Sequence, residues 1–129
     1  MISSHELKRI LVVEDDKDTM ILLKFALKRL KVVGIQHAND GSEALKYLKK
    51  ESFSLILSDW MMPNMLGIDL LKQKKEIAKS RDTPFIFITS ENSEENVIRA
   101  CQEGAIDYIV KPWNMEILTA KLAKYLNIK

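Results

Sequence analysis

The sequence has little of several features that mark specialised classes of protein. Its single cysteine, Cys101, excludes an internal disulfide and a cysteine-based metal framework, which fits a reducing cytoplasm. No run of about 18 apolar residues occurs, and residues 1–9 lack the apolar core of a signal peptide, so we expect no membrane segment. The net charge of +2, from 20 basic and 18 acidic side chains, is too small to favour nucleic acid as a partner.

What remains is the composition of an ordinary folded domain. Apolar residues make up 47% of the 129 positions and charged residues 29%, which is typical of a globular protein. No repeat, low-complexity tract or linker divides the chain. We therefore expect one domain over residues 1–129, with its core at about residues 8–126 and no output domain.

Short apolar runs alternate with longer amphipathic segments along the whole chain. Five strands are predicted, at residues 10–13, 32–37, 55–57, 84–89 and 107–110. A helix is predicted after each strand, the third at about residues 68–79 and the last at about residues 115–126. Such alternation is typical of an α/β fold in which a parallel sheet carries helices on both faces.

Local signals add detail to the helices. Asp18, Asp40 and Ser93 are predicted to cap helix N-termini. The lysines of the third helix, at positions 72, 74, 75 and 79, are interpreted as a solvated face, and Cys101 as a small packing residue.

Polar side chains gather where the predicted strands stop. The first strand ends in Glu14, Asp15 and Asp16, the third in Asp59, the fourth in Thr89 and the fifth in Lys111. Because ligands of an open α/β sheet bind beyond the carboxyl ends of its strands, we expect these side chains to converge. Singly, each has an ordinary explanation as a cap, a strand residue or a loop residue, but together they favour a site.

The types of residue at this edge indicate a chemistry. Converging carboxylates repel one another unless a cation neutralises them, and Mg²⁺ prefers such oxygen ligands. A lysine would balance the charge of a phosphoryl group, and a threonine hydroxyl would hydrogen-bond one of its oxygens. An aspartate can itself be the nucleophile, so the set suits phosphoryl transfer through an aspartyl phosphate.

Four blocks of the sequence resemble the two-component response regulator receiver domains, specifically single-domain, chemotaxis-regulator-like members. They are ILVVEDD (10–16), LILSDWMMPNMLG (55–67), FITS (87–90) and DYIVKPW (107–113). The resemblance covers nearly the whole chain, and the spacings of 44, 30 and 52 positions from Asp15 to Asp59, Asp59 to Thr89 and Asp59 to Lys111 also match. It implies a doubly wound, flavodoxin-like sheet of order 2-1-3-4-5 with five helices.

The resemblance also implies roles for individual residues. Asp59 matches the phosphoacceptor, and the Mg²⁺ ligands would be Glu14 through water, Asp15, Asp59 and the carbonyl of Met61. Thr89 matches the switch hydroxyl, Lys111 the lysine that pairs with the phosphoryl group, and Tyr108 the aromatic switch residue. Pro112 matches a proline that often follows a cis peptide bond.

The implied function is signalling in the cytoplasm rather than enzymatic turnover of a substrate. A sensor histidine kinase or a histidine phosphotransfer protein would donate the phosphoryl group, since His5 and His37 are interpreted as ordinary residues. The fourth helix, fifth strand and fifth helix would form the face that binds a downstream protein or a second copy. Met61 and Glu91 would tune a moderate to slow self-dephosphorylation, which is all the catalysis we expect besides phosphorylation itself.

Three alternatives remain open at this point. A phosphatase acting through an aspartyl phosphate would have a second aspartate at position 61, where this chain has Met61. A flavin-binding module would have a phosphate loop after the first strand, where Glu14 to Asp16 would repel a phosphate. A pseudo-receiver would only dock partners, although the acceptor set is complete.

Overall fold

The computed structural model describes residues 8–128 and contains one parallel sheet flanked by helices. In chain order the elements are β1 Arg9–Val13, α1 Lys17–Arg29, β2 Gly34–Ala38, α2 Gly41–Lys50, β3 Leu55–Ser58, α3 Gly67–Lys74, β4 Phe85–Thr89, α4 Glu94–Glu103, β5 Asp107–Val110 and α5 Met115–Tyr125. The strand order is β2-β1-β3-β4-β5 and all the pairs are parallel, so the predicted fold class and strand order are confirmed. Between residues 8 and 128, no helix is both long and apolar enough to cross a membrane.

The core lies in two layers because successive residues of a buried strand face opposite sides of the sheet. Ile10 and Val12 of β1 pack with α1 and α5, while Leu11 and Val13 pack with α2 and α3. Every residue of β1 from position 10, and all of β3 and β4, is buried. Fully burying one such aliphatic side chain stabilises the fold by about 1.5–3 kcal/mol, so these central strands anchor both layers.

Two of the three predicted helix caps are confirmed, and one is wrong. Asp40 and Ser93 accept hydrogen bonds from the backbone N–H groups of Glu43 and Asn96. Helix α1, however, is capped by Asp16, whose carboxylate accepts from Thr19 N at 3.0 Å, and Asp18 lies in the first turn. The last acid of the run Glu14–Asp16, directly before the helix, is therefore the cap.

The third helix and its lysines differ from the prediction. Helix α3 ends at Lys74 rather than near position 79. Lys74 is not solvated, since it is only 6% exposed and its ammonium donates to the carbonyls of Arg81 at 2.9 Å and Thr83 at 2.8 Å. Lys74 therefore anchors the loop that follows α3. The predicted solvated face is limited to the other lysines, at positions 72, 75 and 79.

Candidate functional site

The carboxyl ends of β1 and β3 bring three acids together. One carboxylate oxygen from each of Glu14, Asp15 and Asp59 lies within 4.8 Å of the other two. Parallel pairing explains this, because Val13 pairs with Ser58 and the next residue of each strand carries a carboxylate. The backbone continues the register, with Asp59 N donating to Val13 O at 3.1 Å.

Lys111 supplies the positive charge at this edge. Its Nζ lies 3.6 Å from Glu14 Oε2 and 3.7 Å from Asp59 Oδ2. Lys111 follows β5, which lies two strands away from β3, so its long side chain has to reach back toward the acids. The Lys111–Pro112 peptide bond is cis, which the resemblance had implied.

Glu14 is the most electrostatically perturbed acid of the cluster. Its side chain is 2% exposed, and burial, followed by the charge of Asp59, raises the pKa of Glu14 to about 7. The ammonium of Lys111 and a hydrogen bond from Asp16 N at 3.2 Å act in the opposite direction but do not cancel the rise. A buried carboxylate with a raised pKa favours a bound cation, so the donor set fits a hard divalent ion such as Mg²⁺.

The loop after β3 fixes Asp59 through a backbone hydrogen bond and a close backbone contact. Trp60 N donates to Asp59 Oδ1 at 2.6 Å, which fixes one carboxylate oxygen. Gly67 N donates to Trp60 O at 2.7 Å, and a Cβ at Gly67 would overlap the carbonyl oxygen of Asp59 and come within 2.7 Å of the Phe87 ring. Glycine is thus required at position 67 by close approach. Met61, which lies in the loop between Trp60 and Gly67, is 60% exposed.

Thr89 and Tyr108 are both anchored on the backbone of Glu91. Thr89 ends β4 and is 1% exposed, and its hydroxyl oxygen accepts from Glu91 N at 3.2 Å. The Tyr108 hydroxyl donates to Glu91 O at 2.6 Å, and burial, followed by the charges of Glu91 and Asp59, raises the pKa of Tyr108 to about 12. The ring of Tyr108 lies 5.5 Å from that of Phe87 and 6.3 Å from that of Trp60.

One expected residue of the site makes a local contact, and another contact has no local signal in the sequence. The carboxylate of Glu91, which is expected to tune self-dephosphorylation, accepts a hydrogen bond from Ser93 N at 3.1 Å just before α4. His37, interpreted as an ordinary residue, bonds the backbone oxygen of Glu14 through Nε2 at 2.6 Å. His5 lies outside the described residues, and Cys101 is exposed rather than packed. The contact between His37 and Glu14 joins neighbouring strands and depends on their register, which local patterns do not reveal.

The expected output face contains a compact cluster on β5 and α5. The Asp107 carboxylate accepts from the Tyr125 hydroxyl at 2.8 Å and pairs with Lys121 Nζ at 3.1 Å. Burial works to raise the pKa of Asp107, but these bonds and one from Tyr108 N together lower it below the usual value. The cluster fixes α5 against the start of β5, at the opposite end of the strand from Lys111.

Comparisons with known proteins identify the family. The family model described as response regulator receiver domain matches residues 10–123. The chain is 40% identical to chemotaxis protein CheY-3 of Vibrio cholerae over 116 residues, which cover 90% of this chain and 89% of that protein. It superposes on the structure of Vibrio cholerae CheY4 with a TM-score of 0.83 at 30% identity, covering 92% of this chain and 98% of that one.

A more distant structural neighbour carries a metal ion. The receiver domain of the sensor histidine kinase PA1611 from Pseudomonas aeruginosa, solved with magnesium coordinated in its active-site cleft, has a TM-score of 0.83. At 22% identity, over 93% of this chain and 98% of that one, the likeness concerns the fold alone. With the family match over most of the sequence, the chain belongs to the response regulator receiver domains, the CheY-like signalling regulators of two-component systems.

Proposed function

We propose that this chain, as a single domain, is a phosphoacceptor in a two-component phosphorelay, with Asp59 as the acceptor. The donor would be a phosphohistidine of a sensor histidine kinase or of a histidine phosphotransfer protein. An Asp59 carboxylate oxygen attacks phosphorus, the phosphorus–nitrogen bond breaks, and the imidazole leaves with the electron pair and takes up a proton. The observation that carries the proposal is the set of three carboxylates within 4.8 Å of one another beside the Lys111 ammonium.

Magnesium would be held by Glu14, Asp15, Asp59 and the backbone carbonyl of Met61, with Glu14 acting through water. When bound, the ion neutralises charge on the acids and on the incoming phosphoryl oxygens. The chain's own contribution is to keep the acids close together before the ion arrives. The 2% exposure of Glu14 and the hydrogen bond from Trp60 N to Asp59 support that role.

The response would pass through Lys111, Thr89 and Tyr108. Lys111 lies 3.7 Å from Asp59 and would pair with a phosphoryl oxygen there. Thr89 would turn its hydroxyl toward another oxygen and release the N–H of Glu91. Because the same residue's carbonyl holds the Tyr108 hydroxyl, that release would let the Glu91 backbone shift together with the Tyr108 ring, which packs against Phe87 and Trp60. The two switch side chains are thereby coupled through one stretch of backbone.

The surface that reads this change would be the face of α4, β5 and α5. Movement of Tyr108 would change this face. The contacts of Asp107 with Tyr125 and Lys121 would keep α5 packed against β5 during the change. A downstream protein or a second copy of the domain would bind there in the cytoplasm. Such a shift biases two pre-existing arrangements rather than creating a new one.

Trp60 offers a direct test because its backbone touches Asp59 and its ring packs against Phe87 and Tyr108. Its fluorescence should change on adding Mg²⁺, and again on adding acetyl phosphate or beryllofluoride. Intact-protein mass spectrometry after acetyl phosphate should find one added phosphoryl group. Asp59→Asn should abolish the second response and the added mass.

Asp69→Asn is a matched control, since it removes a half-buried acid of α3 outside the cluster. It should behave as the wild type does. A wild-type protein that gives no Mg²⁺-dependent signal and gains no mass would leave the docking-only pseudo-receiver as the better explanation.

A further inference from the structure

The peptide groups of Glu14 are held at both ends by strand β2. Strands β1 and β2 pair from Arg9 opposite Gly34 to Val13 opposite Ala38, and Glu14 N continues the ladder by donating to Ala38 O at 3.0 Å. Beyond that point the carbonyl oxygen of Glu14 is bonded by a side chain, with His37 Nε2 at 2.6 Å. An imidazole from the edge strand thus takes the place of the next backbone donor.

The acceptor determines which nitrogen of His37 carries the proton. A carbonyl oxygen can only accept, so at this distance Nε2 must be the protonated nitrogen. The same donor is present in the neutral Nε2 tautomer and in the imidazolium, so the bond does not require a change of charge. His37 is half-buried and borders the same open cleft as Asp15, which places the bond beside the acidic cluster.

This bond matters because the carboxylates must stay close while they repel one another. Fixing both peptide groups of Glu14 fixes its backbone torsions and therefore the direction in which the Cα–Cβ bond leaves the backbone. Since the peptide is planar, the bonded carbonyl also fixes the amide of Asp15. An arrangement that is already ordered loses less entropy when a ligand binds.

From this geometry we infer that His37 is a positioning residue for the cation site, which it holds in the binding arrangement through the Glu14 carbonyl. The inference rests on the proposed function and goes beyond it by naming a residue that touches neither the ion nor the phosphoryl group. Loss of a partner that directly hydrogen-bonds a metal ligand weakens metal binding by about 10-fold to 100-fold. The single backbone contact here suggests the lower end of that range.

Three variants separate positioning from folding. His37→Phe keeps a ring but has no donor, whereas His37→Gln keeps an N–H donor at a similar distance along the side chain. Gln36→Leu, on the same edge strand, removes a polar side chain that contacts only the His37 carbonyl among the described hydrogen bonds. Mg²⁺ is titrated into each protein with Trp60 fluorescence as the signal, and acetyl phosphate uptake is then followed at saturating Mg²⁺.

His37→Phe should need about tenfold more Mg²⁺ for half-saturation, yet regain nearly the wild-type rate once saturated. His37→Gln and Gln36→Leu should titrate close to the wild type. If His37→Phe titrates as the wild type does, even with lower stability to urea, the side chain is merely structural and the inference is overturned. If the fluorescence of the wild-type protein does not respond to Mg²⁺, the proposed phosphoacceptor function is contradicted, and this inference is contradicted with it.

A measurement on the metal-free wild type does not depend on any variant folding. Nitrogen-15 NMR of His37 should find the proton on Nε2, with that N–H protected from exchange by its bond to Glu14. A proton located on Nδ1 instead would contradict the geometry from which the inference starts.

Discussion

Replacing Glu14 with glutamine tests the electrostatic strain of the metal-free site. An acid whose pKa rises on folding holds its proton more tightly in the folded state, so the fold loses stability as pH climbs through that range. For Glu14 the pKa rises from 4.5 to about 7, and the loss should run from about pH 4.5 to pH 7 and be nearly complete at pH 8. That difference in pKa corresponds to about 3 kcal/mol of unfolding free energy.

Glutamine keeps the shape of Glu14 and removes its titration. In EDTA at pH 8, Glu14→Gln should therefore be more stable than the wild type by up to about 3 kcal/mol, and the two should differ little near pH 5. If Mg²⁺ binds as proposed, adding it should reverse the order at pH 8, because an ion that binds only the folded state would stabilise the wild type. Urea unfolding at four pH values, with EDTA or with Mg²⁺, measures both effects.

The matched control is Asp15→Asn, which removes an exposed acid of the same cluster. Asp15 is the smallest of the named contributors to the Glu14 shift, so this variant should retain most of the wild-type pH slope. The reasoning is refuted if the stability difference between Glu14→Gln and wild type is the same at pH 5 and pH 8 in EDTA.

Two further substitutions test the acceptor loop and the buried lysine. Met61→Asn places a hydrogen-bonding side chain at an exposed position beside Asp59, where it can hold an attacking water. One such hydrogen bond would stabilise the transition state of hydrolysis by about 1 kcal/mol and speed phosphate loss roughly fivefold. The rate is measured after removal of the phosphoryl donor, and Met61→Leu, the control, should match the wild type. Lys74→Met leaves two loop carbonyls without their donor and should lower the free energy of unfolding in urea by about 1–3 kcal/mol. The control Lys72→Met, at an exposed position, should lower it by under about 0.5 kcal/mol, and equal losses would contradict the account.

The three central strands were predictable because their burial is nearly complete. In β1, β3 and β4 almost every residue is buried, so each strand is visible as an apolar run. The predicted start of the edge strand β2, at position 32, was wrong by two residues because the apolar pair Val32–Val33 precedes Gly34 and extends the run. The other edge strand, β5, was predicted at its observed bounds although only one of its four residues is buried. The helix α3 prediction ran too far because helical spacing of apolar and charged residues continues past Lys74 into a chain of turns.

Side-chain partners were harder to predict than the positions of the strands. Parallel topology implies that residues following β1 and β3 meet at one edge, and Glu14, Asp15 and Asp59 do meet there. The links from His37 to Glu14 and from Tyr108 to Glu91 join residues 23 and 17 positions apart in the chain. They depend on strand register and on side-chain reach, and neither leaves a periodic signal in the sequence.

The close approach at Gly67 divides the neighbourhood of Asp59 into a fixed half and an adjustable half. With no side chain at this position, the first turn of α3 rests directly on the Asp59 carbonyl and on the edge of the Phe87 ring. This contact between the backbones of Gly67 and Asp59 cannot adjust by a change of side-chain rotamer. We therefore expect any rearrangement at Asp59 to occur away from Gly67, for example where the long side chain of Lys111 places its Nζ 3.7 Å from the acid.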